Sequence, residues 1–248
     1  NNHTTVDAPE TVRYIRTIPN VQISYPKETM WQLIVRKQMP PKRLVRYCCA
    51  ALKERGGKGR VKVTGVRKAE SVNRKNNQGL ITVIGKTVTT EKAAIDMEVD
   101  YEINPKGGIV LNTDNDESRR FVEHCYRTTS TMVNPIIDWT DEDVWDFLHY
   151  YGCESNPLYQ CGFKRIGCIG CPLGGSDSMK RQFSLYPKYK ENYIRAFDRM
   201  LKRREELGKP PLDRIGNTGE DVFKWWIGDD PRQLSLFDQE YDPDWHWV

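Results

Sequence analysis

The chain has 248 residues, 38% of them hydrophobic and 29% charged; at about 150 residues per domain this allows one or two domains, each able to bury its own core. That composition excludes a disordered or collagen-like chain, and no run of about 18 apolar residues is present to span a membrane. Thirty-eight Lys and Arg against 34 Asp and Glu give a net charge of +4, which admits anionic ligands but falls short of a charge-driven nucleic-acid coat.

Pro9-Glu10 opens an amphipathic helix over Thr11 to Ile18, with proline in the first turn and an acid at the positive end of the dipole. Val21 to Tyr25 alternates as a strand, Met30 to Lys37 reads as helical, and Lys42 to Arg55 reads as a third helix ended by Gly56-Gly57. Arg60 to Val66 is a further strand running into a turn. This alternation predicts an α/β fold, a parallel sheet flanked by helices, with ligands at the carboxyl ends of the strands. Residues 75–131 break the rhythm. Their short alternating pieces, Leu80 to Ile84, Ile95 to Ile103 and Ile109 to Leu111, read as hairpins in an inserted β region. Val133 to Ile137 restores a buried strand, and Thr140-Asp141-Glu142-Asp143 caps a helix through Tyr150. A long basic helix runs from Tyr186 to Leu207, stopped by Gly208 and Pro210-Pro211. Trp225, Trp226, Trp245 and Trp247 behind it are expected to pack a terminal helix onto the body. The expected division is an α/β nucleotide-binding domain over 1–180 and a helical C-terminal extension over 181–248.

Seven cysteines, an odd number with unequal spacing, do not form a secreted disulfide framework and point to reduced thiols in a cytoplasmic protein. No signal peptide is visible in Asn1-Asn2-His3-Thr4-Thr5. Cys168-Ile169-Gly170-Cys171 is a C-x-x-C knuckle, whose backbone can aim two sulfurs at zinc or iron. Cys48 and Cys49 are adjacent within the third helix, so their side chains diverge by about 100°. Such a pair serves one compact ion poorly and two irons of one cluster well, although small core residues and a zinc site remain open readings. Cys125, Cys153 and Cys161 lack comparable spacing. Lys53, one turn after Cys49, shares its face and is suited to stand behind a thiolate cluster. Arg67, Lys68, Ser71 and Arg74 lie on a strand-end loop where guanidinium forks can grip phosphate or sulfate.

Taken together, Thr5-x-Asp7-x-Pro9-Glu10-Thr11, Cys48-Cys49 with Lys53, and Gly65-x-Arg67-x-x-Glu70-Ser71-x-x-Arg74 resemble the phosphoadenosine phosphosulfate (PAPS) reductase family of PP-loop ATP-pyrophosphatase-fold proteins. Asn134-Pro135-Ile136 with Trp139 and Asp143-Val144-Trp145, then Asn156-Pro157-Leu158-Tyr159 leading to Gly167-Cys168-x-x-Cys171, extend the likeness in family order to about residue 172. The resemblance implies a [4Fe-4S] cluster on Cys48, Cys49, Cys168 and Cys171. It also implies a site for ATP or another adenine nucleotide, with magnesium, served by Asp7, Arg67, Glu70, Ser71 and Arg74.

Two departures follow. The family's Ser-Gly-Gly-x-Asp-Ser loop should precede Thr5, so the intact protein is expected to extend upstream. No cysteine follows Cys171 in the tail Tyr241 to Val248, where sulfonucleotide reductases carry their nucleophile. The closest functional likeness is therefore to the iron-sulfur, DNA-phosphorothioation-like branch. There an acceptor oxygen is adenylated and then exchanged for sulfur from a donor such as a cysteine desulfurase, with DNA or RNA as a candidate acceptor. A sulfonucleotide reductase and a noncatalytic iron-sulfur subunit are the alternatives, and assembly into an oligomer is compatible with each. The basic helix segment Lys202-Arg203-Arg204 is a candidate contact to a nucleic-acid backbone.

Overall fold

The computed structural model describes residues 1–53, 60–84, 87–125, 130–212 and 215–229, with the side chains of 87–89, 123–125 and 130 excepted. Packing divides the chain into two compact units, Asn1–Arg55 with Asn156–Val248, and Gly56–Ser155.

In the first unit, helix α1 spans Pro9–Thr17 and α2 spans Met30–Lys37. Thr29 and Gln32 form a capping box at the start of α2, which buries Met30, Leu33 and Ile34. The segment expected as a strand at 21–25 makes only a bridge between Asn2 and Ser24; Val21 and Tyr25 are exposed, so neither face of the alternation is covered. The helix expected over Lys42 to Arg55 is also different. The Tyr47 hydroxyl donates to the Met39 carbonyl at 2.6 Å and Lys42 N–H donates forward to the Val45 carbonyl, which holds the chain in a loop after Pro40-Pro41. Winding then begins near Tyr47 and takes π-helical form over Cys49–Lys53. Such turns are rare and concentrate at functional sites. Arg55 and Gly56-Gly57 lie outside the described residues.

Three later helices complete this unit: α7 (Ser176–Leu185), α8 (Pro187–Glu206) and α9 (Gly219–Trp226). The long basic helix is thus present as read, α8 stopping before Gly208 at φ +63°. Tyr193, Ala196, Phe197 and Met200 form its buried stripe, against Leu33, Ile34, Phe183 and Phe223. Trp226 packs on the rings of Phe183, Tyr193 and Phe197, and its indole N–H donates to the Pro41 carbonyl at 2.6 Å. This is the core role expected of the Trp pair; Trp245 and Trp247 lie outside the described residues.

The second unit holds a mixed five-stranded sheet in the order β1-β5-β2-β4-β3. Strands β1 (Val61–Val63) and β5 (Ser130–Val133) are parallel, Val61 opposite Thr131. Strands β2 (Ile81–Ile84), β3 (Glu102–Ile103) and β4 (Ile109–Leu111) come from the inserted region and add antiparallel pairs, as its hairpin pattern predicts. Buried Ile81, Val83, Ala94, Ile109, Leu111 and Phe121 form its core. Helix α3 (Val72–Asn77) runs into the insertion, which also contains helices α4 (Thr87–Asp96) and α5 (Asp116–Cys125). Ile95, read as strand, ends α4, because packing of Ala94 against the sheet overrides the β-branched composition of that helix. The strand expected through Ile137 stops at Val133. Pro135 has no N–H to give a ladder, and buried Asn134 instead donates from its backbone to the Leu80 carbonyl and from its side chain to the Gly79 carbonyl, both at 2.7 Å. Helix α6 (Asp141–Tyr150) carries the expected cap, a box between Thr140 and Asp143.

Among the described residues no helix is long and apolar enough to cross a membrane.

Candidate functional site

The C-x-x-C knuckle is held from three sides. Cys168 bridges antiparallel to Asp7, and Ile169 N–H donates to the Val6 carbonyl at 2.8 Å. Gln182 of α7 accepts the Gly170 N–H at 2.8 Å, and the buried Tyr193 hydroxyl of α8 donates to the Ile169 carbonyl at 3.0 Å. Gly170 turns the corner at φ +72°, where a Cβ would stand 2.6 Å from Phe183 Cζ and 2.9 Å from Trp226 Cη2. Only glycine fits there without displacing the core.

On the other side, the π-helical turn presents Cys48 and Cys49. All four cysteines expected as ligands line one cavity of about 160 Å³, together with Thr4, Lys53 and Tyr193. The thiols at Cys153 and Cys161 are exposed and do not line it, while the Cys125 side chain lies outside the described residues. Among the described residues no group of three or more His, Cys, Asp or Glu is drawn together tightly enough to hold a metal ion.

The electrostatics of this cavity are those of crowded thiols. Cys48 is pushed well above its ordinary range by its hydrogen bond to Cys49, by burial, and by the neighbouring sulfurs of Cys49, Cys168 and Cys171. Burial pushes Cys168 up as well, opposed by the Lys53 ammonium and by the Thr4 hydroxyl. Burial works against the Lys53 charge, but the attraction of Cys168 and a hydrogen bond to it, with Cys171 and Asp7 behind, leaves its pKa raised. Lys53, expected from its spacing to act beside Cys49, instead interacts with the knuckle thiols Cys168 and Cys171.

Asp7 belongs to this neighbourhood. Its carboxylate accepts the Thr4 N–H at 2.7 Å and its carbonyl accepts the Tyr189 hydroxyl at 2.9 Å. That turn aims Thr4, 1% exposed, at the Cys168 sulfur, 3.4 Å from its hydroxyl. Thr4 is a residue the sequence reading missed; its one signal is the Asp three positions later, a short-range side-chain to backbone turn.

The predicted anion loop lies in the second unit. Arg67, its side chain 13% exposed, donates from Nη2 to Asp141 Oδ1 at 2.6 Å and faces Glu70 at 3.9 Å, while Arg74 is ion-paired to the same Glu70. The loop therefore brings its two arginines together around one carboxylate. Arg67 Nη1 is buried with no hydrogen-bond partner among the described residues. Lys68 pairs with Asp138 at 2.8 Å. The Ser71 hydroxyl accepts the Arg74 N–H at 3.2 Å and caps α3, a structural task beside the anion-binding one its motif implies. Asp138 and Asp141 were not singled out in the sequence, since pairing 70 or more positions away leaves no local pattern.

Comparison with known proteins matches residues 2–173 to the phosphoadenosine phosphosulfate reductase domain. An uncharacterized protein of Methanocaldococcus jannaschii is 33% identical over 75 residues, 30% of this chain and 18% of that protein. An uncharacterized 37.8 kDa protein of Escherichia phage 186 is 35% identical over 57 residues, 23% of this chain and 17% of its own. The adenosine 5'-phosphosulfate reductase of Bacillus thuringiensis is 35% identical over 74 residues, 27% of this chain and 32% of that enzyme. The chain thus covers at most about a third of these relatives. With more than two thirds of its length inside the match, including all four cavity cysteines and both loop arginines, the chain belongs to the phosphoadenosine phosphosulfate reductase domain family.

Proposed function

We infer that the protein is an adenine-nucleotide-dependent sulfur-transfer enzyme of the cytoplasm, and that Cys48, Cys49, Cys168 and Cys171 hold a [4Fe-4S] cluster. The observation that carries this reading is the cavity: four thiols from two distant segments line one space. A mononuclear zinc site needs ligands converging on one ion, whereas a cubane takes one thiolate at each of four irons. When bound, such a cluster supplies a redox-active iron centre. Lys53 and Thr4 then balance charge and donate hydrogen bonds at Cys168, and Gln182 and Tyr193 fix the knuckle backbone.

In the second unit Arg67 and Arg74 are the phosphate-binding pair, brought side by side around Glu70, and Arg67 Nη1, buried with no hydrogen-bond partner among the described residues, is a donor an anion would take. In the favoured reading the nucleotide is ATP with magnesium. An acceptor oxygen attacks the α-phosphorus and pyrophosphate leaves; the terminal sulfur of a persulfide on a donor such as a cysteine desulfurase then attacks the activated acceptor atom, AMP leaves with the acceptor oxygen, and a thiol reductant cleaves the remaining S–S bond to free the donor cysteine and leave the sulfur on the acceptor. A second reading, reduction of a sulfonucleotide, is favoured by the relatives named adenosine 5'-phosphosulfate reductase.

Anaerobically purified full-length protein incubated separately with ATP and with adenosine 5'-phosphosulfate decides between them. Pyrophosphate release from ATP supports sulfur insertion, and thiol-dependent sulfite release from the sulfonucleotide supports reduction. Neither product, with nucleotide bound, would contradict the enzyme reading.

A further inference from the structure

We propose that the groove between α2 and α8 is a docking site for a single-stranded nucleic acid. The groove has a volume of about 510 Å³ and is lined by Trp31, Gln32, Val35, Arg36, Gln38, Arg199 and Arg203. It lies in the first unit and shares no lining residue with the thiol cavity.

Three guanidinium groups face one trough. Arg199 and Arg203 stand one turn apart on α8, and Arg36 meets them from the last turn of α2. Arg199 Nε donates to the Arg195 carbonyl at 3.2 Å, and its terminal nitrogens meet no partner among the described residues. Arg36 pairs with Glu28 and Arg203 with Glu206, but both pairs are solvent-exposed on the arginine side, so a phosphate can take over these donors at small cost. The structure also divides the Lys202-Arg203-Arg204 run. Arg204 is tied to the carbonyls of Gln38 and Pro210 at 3.3 and 2.9 Å, so it serves the fold, and Arg199 takes its place beside Arg203.

Charge alone would fit any polyanion; one further feature selects a strand with accessible bases. Half-buried Trp31 forms part of the groove wall, braced edge-on by Tyr193 with ring centroids 4.8 Å apart. An indole flanked by guanidinium groups is the stacking platform that single strands use without sequence preference.

This inference deepens the sulfur-transfer reading by naming the class of its acceptor, and it rests on that reading only for the use made of the strand. The test is binding without turnover: fluorescence anisotropy of a dye-labelled, mixed-sequence single strand on full-length holoprotein, with iron content read on the same samples. Replacing Arg199 and Arg203 together by Ala should weaken binding at least tenfold at low salt. It should also flatten the plot of log affinity against log salt by about 1.4, since each phosphate that an arginine neutralises on a single strand adds about 0.7 to the slope. The control is the double variant Arg13→Ala/Lys188→Ala, which removes the same charge from exposed positions outside the groove; it should change affinity less than twofold. An unchanged affinity in the groove variant, or an equal loss in the control, overturns the site. Equal or tighter binding of the duplex form, or displacement of the strand by polyglutamate at matched charge, overturns the choice of partner. Iron loss without loss of strand binding would fault the cluster reading and leave the groove standing.

Discussion

Thr4 and Cys168, separated by 164 positions in the chain, meet at 3.4 Å between hydroxyl and sulfur. They meet because the Asp7 carboxylate turns the backbone at Thr4 while the Asp7–Cys168 bridge lays the knuckle alongside. As a thiolate, Cys168 accepts the Thr4 proton, and hydrogen bonds to ligating sulfurs raise a cluster's potential. Thr4→Val is therefore expected to keep its iron and lower the reduction potential in an anaerobic redox titration, with Thr4→Ser close to the parent. A potential unmoved in Thr4→Val would show the hydroxyl to be a packing group only.

Lys53 acts on the same sulfur by charge. Lys53→Met keeps much of the stem and removes the ammonium; its potential should fall, and Lys53→Arg should recover part of the loss. Equal potentials for the Met and Arg variants would remove the electrostatic role.

Gly170→Ala should destabilise the first unit by about 2 kcal/mol or more, combining left-handed backbone strain with overpacking against Phe183 and Trp226. The urea midpoint of unfolding, measured without oxygen, reports it. An unshifted midpoint would mean that the knuckle has more room than its geometry shows.

The anion loop gives a separable prediction. Arg67→Ala should weaken nucleotide binding by about 1.5 to 3 kcal/mol, roughly ten- to a hundredfold, the range for hydrogen bonds to charged groups. Arg67→Lys should restore only part, since an ammonium lacks the planar fork that grips Asp141 and an anion together. Calorimetric titration on protein with its iron content intact decides this. Parent affinity in Arg67→Ala would reduce the loop to a structural ion-pair set.

What could be read from the sequence followed from local spacing. The C-x-x-C knuckle, the adjacent cysteines and the amphipathic run of α8 each carry their pattern within a few residues; α8 forms where its pattern places it and the four cysteines line one cavity, although the adjacent pair leads into a π-helical turn and Lys53, expected beside Cys49, interacts with Cys168. The inserted hairpins were legible for β2 and β4, whose residues alternate or run apolar between turn signals. Helix α4 was not, because Thr87-Val88-Thr89-Thr90 has strand composition and only the packing of Ala94 makes the segment helical. Nor was the π-helical form of Cys49–Lys53, which depends on Tyr47 anchoring the preceding loop to Met39. Thr4, Gln182 and Asp141 act across distances that leave no periodic trace, so their places at the site come from the fold alone.

The central claim is that four cysteines share one cluster, and the iron and acid-labile sulfide content of anaerobically purified protein tests it most directly. About four irons and four sulfides per chain are expected. Cys168→Ser should lose the broad visible absorption, and a Cys153→Ser/Cys161→Ser double variant should keep it, since both thiols are exposed and outside the cavity. One zinc per chain without sulfide, or iron lost from the double variant and kept in Cys168→Ser, would contradict the account.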